Sequence, residues 1–289
     1  MSADCPSLSR FTVALLACVG MTTLSTSAWA FRPFDGTDAA VAAPGELEIE
    51  LQPAGILRQG SDKTLIAPAT VVNVGLPDRW EAVFQGQGQF PLSESDQPAA
   101  FAGAGAFLKH VLRPGSLQGE SGPSIATEFG ALLPGIRADA GFGASVAGIV
   151  SQRWEWGTVH FNSQTTLTRD HYMDQFVSTI LEGPSQWKVR PVVEISYEEE
   201  FGQSHSVSGL IGAIWQVRDD LAFDIAFRHA LTNRQPVNEI RAGLTFGLPL
   251  RLGSMPSALR KSDRSKQRCL RMVTALCAVD QLLIGGGNV

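Results

Sequence analysis

Residues 188–198 read Lys188-Val189-Arg190-Pro191-Val192-Val193-Glu194-Ile195-Ser196-Tyr197-Glu198. The odd positions Val189, Pro191, Val193, Ile195 and Tyr197 are apolar or aromatic. The even positions Lys188, Arg190, Glu194, Ser196 and Glu198 are polar, with Val192 the one departure. A period of two over eleven residues is the pattern of a β-strand with one apolar and one polar face. The same pattern recurs outward in both directions. Trp80, Ala82, Phe84, Gly86, Gly88 and Phe90 alternate with Glu81, Gln85, Gln87 and Gln89. Leu221, Phe223, Ile225 and Phe227 alternate with Asp224 and Arg228. Ile240, Ala242, Leu244, Phe246 and Leu248 alternate with Glu239, Arg241 and Thr245.

Collected along the chain, these segments predict about twelve strands, at 46–52, 64–76, 80–90, 101–112, 124–133, 142–154, 157–168, 175–182, 188–198, 206–217, 221–231 and 238–248. No apolar run after the N-terminus is long enough for a membrane helix, but barrel strands cross a bilayer with about ten alternating residues. The predicted fold is therefore all-β, a transmembrane antiparallel up-and-down β-barrel. An even strand count returns both termini to the periplasmic side, as single-chain bacterial barrels require.

The connections carry a second signal. Pro77-Asp78-Arg79, Glu155-Trp156, Gly183 to Trp187 and Arg218-Asp219-Asp220 are short, and the connections between them, such as 91–100 and 199–205, are mostly longer and polar. This matches short periplasmic turns and longer outer loops. Residues 113–123 depart from it, a long Gly- and Ser-bearing segment where a short turn is expected. Trp80, Trp154, Trp156, Trp187 and Trp215 all lie beside the four short connections. Amphipathic indole rings favour the headgroup level, so these five form the expected membrane-interface girdle.

At the N-terminus, Arg10, the apolar stretch Phe11 to Val19 and Ala28-Trp29-Ala30 have the three parts of a secretory signal, with cleavage expected after Ala30. A lipoprotein reading at Leu15-Leu16-Ala17-Cys18 leaves too short an apolar stretch before the cysteine. From Phe31 to Leu250 there is no cysteine, so an exported domain of this size needs a framework other than disulfides, and a closed hydrogen-bond ladder is one. That region holds fifteen Lys and Arg against twenty-five Asp and Glu, while residues 251–289 hold seven against two. The expected organisation is thus signal peptide 1–30, barrel 31–250 and a basic tail 251–289, whose stretch from Cys269 to Ile284 reads either as an amphipathic helix or as an unstructured extension. Cys269 and Cys277 are the candidates for pairing there.

If the apolar faces meet lipid, the polar faces line the lumen, because a charge in the hydrocarbon is costly. This places Glu81, Glu128, His160, Asn162, Gln164, Arg190, Glu194, Asp224, Arg228, Glu239 and Arg241 inside. They shape either a polar pore or an interior plugged by opposite charges paired across neighbouring strands. Twelve strands lie between filled eight-stranded barrels and open sixteen-stranded ones, which allows either outcome.

Catalysis has weak support. His160-Phe161-Asn162-Ser163 loosely resembles the His and Ser set of outer-membrane phospholipases, but His160 and Ser163 have opposite parity and face opposite sides. Ser208 shares the inner face with His160, with nothing nearby to mark a nucleophile. No Cys/His spacing matches a metal site, Gly86-Gln87-Gly88 and Gly141-Phe142-Gly143 lack the setting of a dinucleotide loop, and no cofactor is expected. The acidic run Glu198-Glu199-Glu200 argues against nucleic acid.

Gly75 to Glu81 (GLPDRWE), Lys109 to Leu112 (KHVL), Gly130 to Gly135 (GALLPG) and Glu239 to Gly247 (EIRAGLTFG) resemble the outer-membrane family of the MetA pathway of phenol degradation, over about residues 44–250. The resemblance implies an outer-membrane barrel that passes small aromatic or hydrophobic compounds and brings no catalytic residues with it. The expected partners are outer-membrane lipid and lipopolysaccharide, the barrel assembly machinery and a small-molecule solute. The chain departs from barrels of this kind at its end, where residues 251–289 follow the last aromatic-bearing strand. The alternative function is a closed structural or surface-interaction barrel, and a more remote one is an outer-membrane lipid hydrolase.

Overall fold

The computed structural model describes residues 32–93 and 98–250. The expected signal peptide and its cleavage site, and the basic tail with Cys269 and Cys277, lie outside the described residues. Twelve strands follow in order: β1 (Glu46–Gln59), β2 (Asp62–Leu76), β3 (Trp80–Pro91), β4 (Ala100–Arg113), β5 (Ser124–Leu132), β6 (Gly143–Trp154), β7 (Gly157–Leu167), β8 (Met173–Glu182), β9 (Val189–Glu200), β10 (Ser204–Arg218), β11 (Leu221–Thr232) and β12 (Gln235–Pro249). Each pairs antiparallel with its sequence neighbour, and β12 returns to β1, so the sheet closes into a barrel. Closure leaves no unpaired edge, which a wall in hydrocarbon requires.

Alternation fixes the two faces. In β9, Val189, Val193, Ile195 and Tyr197 are exposed on the outside, while Arg190, Val192, Glu194 and Ser196 are buried. Val192, the apolar residue on the polar side, belongs inside: it packs with Ile214 and Ala222 in a small lumenal cluster. Around the outer wall Phe84, Val146, Ile211, Ile225 and Ile240 are likewise exposed. An apolar surface on this scale is costly in water and suits a lipid solvent.

The strands differ from the sequence reading mainly at β1. It runs to Gln59 through Pro53 and Gly55, and the β1–β2 connection is the tight pair Gly60-Ser61. Loop lengths are less asymmetric than expected, since the β9–β10 and β11–β12 connections, 201–203 and 233–234, are also tight. The longer outer connections are 92–99 and 133–142. In β2 the ladder breaks between Ile66 and Ala69, where Pro68 has no N–H to donate.

The five tryptophans all lie at the end where β1 begins and β12 finishes. Trp80 stacks on His110 with centroids 4.2 Å apart, Trp154 stacks on Trp156 at 5.3 Å, and Trp215 lies tilted against Phe223. Trp187 is exposed.

Candidate functional site

Residues 32–43, which precede β1 and carry no strand alternation, lie inside the barrel. Their contacts follow the wall in strand order. Arg32 pairs with Asp224 on β11 at 3.3 Å and donates to Gln52 on β1 at 2.9 Å, passing over Gly243 of β12. Phe34 packs on the cluster from β9, β10 and β11. The N–H groups of Asp35 and Gly36 both donate to the Glu194 carboxylate on β9, at 2.8 and 2.9 Å. Thr37 N–H donates to Asn162 Oδ1 on β7, and Ala39 N–H to Ser151 Oγ on β6. Ala39 also packs on Ala126 of β5 and Ile149 of β6. Lys109 on β4 reaches Thr37 and Asp38, and Ala42 N–H donates to Glu81 on β3. Finally Gly45 N–H donates to Gly75 O on β2 at 3.0 Å, where the chain runs so close that any Cβ on Gly75 would strike the Ala43 carbonyl.

The segment thus makes one lap of the inner wall, an inner collar. Its length suits this. Twelve strands about 4.8 Å apart and tilted about 40° make a wall of roughly 12 Å radius. A lap taken one side-chain depth inside it is roughly 45 Å, close to the roughly 40 Å that a dozen extended residues reach.

Most of the polar residues read as lumenal meet this collar. Arg228 and Arg241 clasp the Asp35 carboxylate at 2.7 and 2.6 Å, and Arg241 also holds Glu239 at 2.8 Å and the Pro33 carbonyl at 3.0 Å. Burial disfavours the charged form of Asp35, but Arg241 and Arg228 outweigh it and hold the carboxyl below its ordinary value of 3.8. Glu81, Asn162, Glu194 and Asp224 anchor collar atoms as described. Glu128 stands opposite Lys109 in the β4–β5 ladder. Gln164 donates to Thr166 on its own strand at 3.1 Å. Among the described residues, opposite charges paired between neighbouring strands are few; Arg190 with Glu182 at 3.3 Å is one such pair.

His160 is flanked by Ser151 and Glu182. Its Nδ1 lies 2.8 Å from Ser151 Oγ, directly opposite in the β6–β7 ladder, and its Nε2 lies 3.5 Å from Glu182. This Ser–His–Glu row resembles a nucleophile with its base and orienting acid. Ser151 is fully buried, however, and its oxygen also accepts the Ala39 amide, so a substrate carbonyl has no approach. Ser163, on the other face, accepts from Gln175, and Ser208 pairs with Ser196 at 2.7 Å rather than with His160. The Ser151–His160 pairing follows from the Glu155-Trp156 turn, which sets the hairpin register.

The connection 114–123, too long for a plain turn, also serves the collar. It holds a short 3-10 turn, Ser116–Gln118, from which Gln118 donates to the Ala39 carbonyl at 2.9 Å and Leu117 packs on the Ala39 cluster. The collar borders two cavities. One of about 900 Å³ opens toward the loop end and is bounded by Arg32, Arg228 and Arg241 together with Asp174, Glu198 and Glu200. The other, about 280 Å³, lies between the collar and the wall, lined by residues of β1 to β8.

This closed barrel is shared with solved structures. An outer membrane channel from Pseudomonas putida F1 superposes with a TM-score of 0.53 at 8% identity, covering 75% of this chain and all of that one. The NanC porin superposes with a TM-score of 0.51 at 6% identity, covering 70% of this chain and all of that one. Identities this low show a common fold. No family model and no curated protein matches the sequence.

Proposed function

We propose that the chain is an outer-membrane channel for passive passage of small solutes, narrowed by its own inner collar. The observation that carries this reading is a closed wall, apolar outside and charged inside, around a vestibule of about 900 Å³. The two superposed structures, a channel and a porin by name, support it. In this reading the leader directs export, the barrel assembly machinery inserts the chain, the tryptophan end sits at the periplasmic interface, and the loop end meets lipopolysaccharide.

The finer assignment, to aromatic or hydrophobic compounds, rests on the MetA-pathway resemblance. The charged vestibule favours solutes that keep a polar group in water while an apolar part crosses. Planar-bilayer recording tests the channel: discrete conductance steps and solute flux are expected, and silence from correctly folded protein would remove it.

The second reading, a closed structural barrel, is favoured by the collar itself. Asp35 between two arginines and Glu194 with two backbone amides form a well-satisfied plug. That reading predicts unchanged solute uptake and altered envelope integrity in cells lacking the protein.

A further inference from the structure

The smaller cavity has an unusual charge balance. Asp38, Glu48, Glu50, Glu81 and Glu128 line it, and Lys109 is the cation among its lining residues. Lys109 is committed, with its ammonium 3.4 Å from Asp38 and 3.2 Å from the Thr37 hydroxyl. Glu50 accepts from Asn73, and Glu81 from the Ala42 amide. Glu48 is different: it is 3% exposed, it faces the cavity, and among the described residues nothing hydrogen-bonds its carboxylate. A buried carboxyl without a partner is costly to ionise, and a bound cation offsets that cost and favours the charged form.

The rest of the lining is not that of a metal site. Among the described residues no three His, Cys, Asp or Glu side chains converge to hold a metal ion. Phe107, Phe176, Val71 and Val83 complete the walls instead. Aromatic faces attract cations, and aliphatic walls accept an apolar body. The cavity also shares Val71, Gln85, Gln164 and Phe176 with the larger vestibule, so the two adjoin at these side chains on the side from which a solute enters.

We propose that this cavity binds a small organic cation, an ammonium or guanidinium group on a short apolar or aromatic body. Glu48 takes the charge, Glu128 and Glu50 add to the field, and the phenylalanines hold the body. The inference names the solute class for the proposed channel and rests on the lumen being the solute path.

The test uses the full mature chain, refolded in detergent and shown to be folded by heat-modifiable migration. Benzylammonium is titrated calorimetrically at neutral pH beside benzyl alcohol, benzoate and Mg²⁺. Saturable binding of benzylammonium is expected, at least tenfold tighter than benzyl alcohol, and weakened at least tenfold by Glu48→Gln. Glu128→Gln should weaken it less and serves as the second variant if Glu48→Gln does not fold. Equal affinity for amine and alcohol, preference for Mg²⁺, or unchanged affinity in the folded variants would overturn the site. Planar-bilayer recording of the same preparation separates the two proposals. A protein that binds benzylammonium but does not conduct loses the channel reading and keeps the site. One that conducts but does not bind loses the site.

Discussion

Glu194 holds two consecutive backbone amides of the collar, those of Asp35 and Gly36. Glu194→Ala leaves both donors without an acceptor at a cost of about 1–3 kcal/mol each. It should loosen the collar while the barrel stays closed, seen as faster hydrogen exchange at Asp35 and Gly36 with heat-modifiable migration retained. Glu194→Gln keeps a carbonyl acceptor and should lose about half of that protection. Asp35 sets the pH limit of the same anchor. Its carboxyl is held below 3.8 in the folded protein, so its contribution is present above that value and is lost as pH falls through the lower folded value. The part of the channel current that depends on Asp35 should therefore be steady from pH 7 to about 5 and change only in stronger acid. Asp35→Asn should show the acid-state current at neutral pH. A current that changes between pH 7 and 5 in the wild type would point to other groups.

At the scale of elements, the collar is the part whose removal separates function from fold. None of the wall's ladder bonds depend on residues 32–43, since the strands pair with one another. Deleting 32–43 should leave the barrel folded and raise single-channel conductance several-fold; an unchanged conductance would mean that the collar does not set the constriction. The twelve strands were readable because each alternates over its own length, a local property. The collar was not readable, because it has no period and its partners are distant: Glu194 lies 159 residues from Asp35, and Arg241 lies 208 from Pro33. Parity placed Glu194, Asn162 and Arg241 on one face, but could not say that a strand-free stretch of the same chain would meet them there. The connection 114–123 shows the same limit. Its length stood out in the sequence, and its reason, the Gln118 bond to Ala39, exists only in three dimensions.

For the whole molecule, the tryptophans give the orientation test. All five of the region 32–250 gather at one end of the barrel, so headgroup-level quenchers in reconstituted vesicles should quench their fluorescence more than quenchers placed deep in the acyl chains. The reverse order would place that end away from the interface. The seam where β12 meets β1 is the one joint in the ring that no hairpin turn ties together. Arg32 reaches across it, with Gln52 of β1 on one side and Asp224 of β11 on the other. The collar therefore also ties the two sides of that seam together from within, beside the ladder bonds that close it. In the proposed channel, that tie would keep the surrounding lipid walled off and leave a solute the path along the axis.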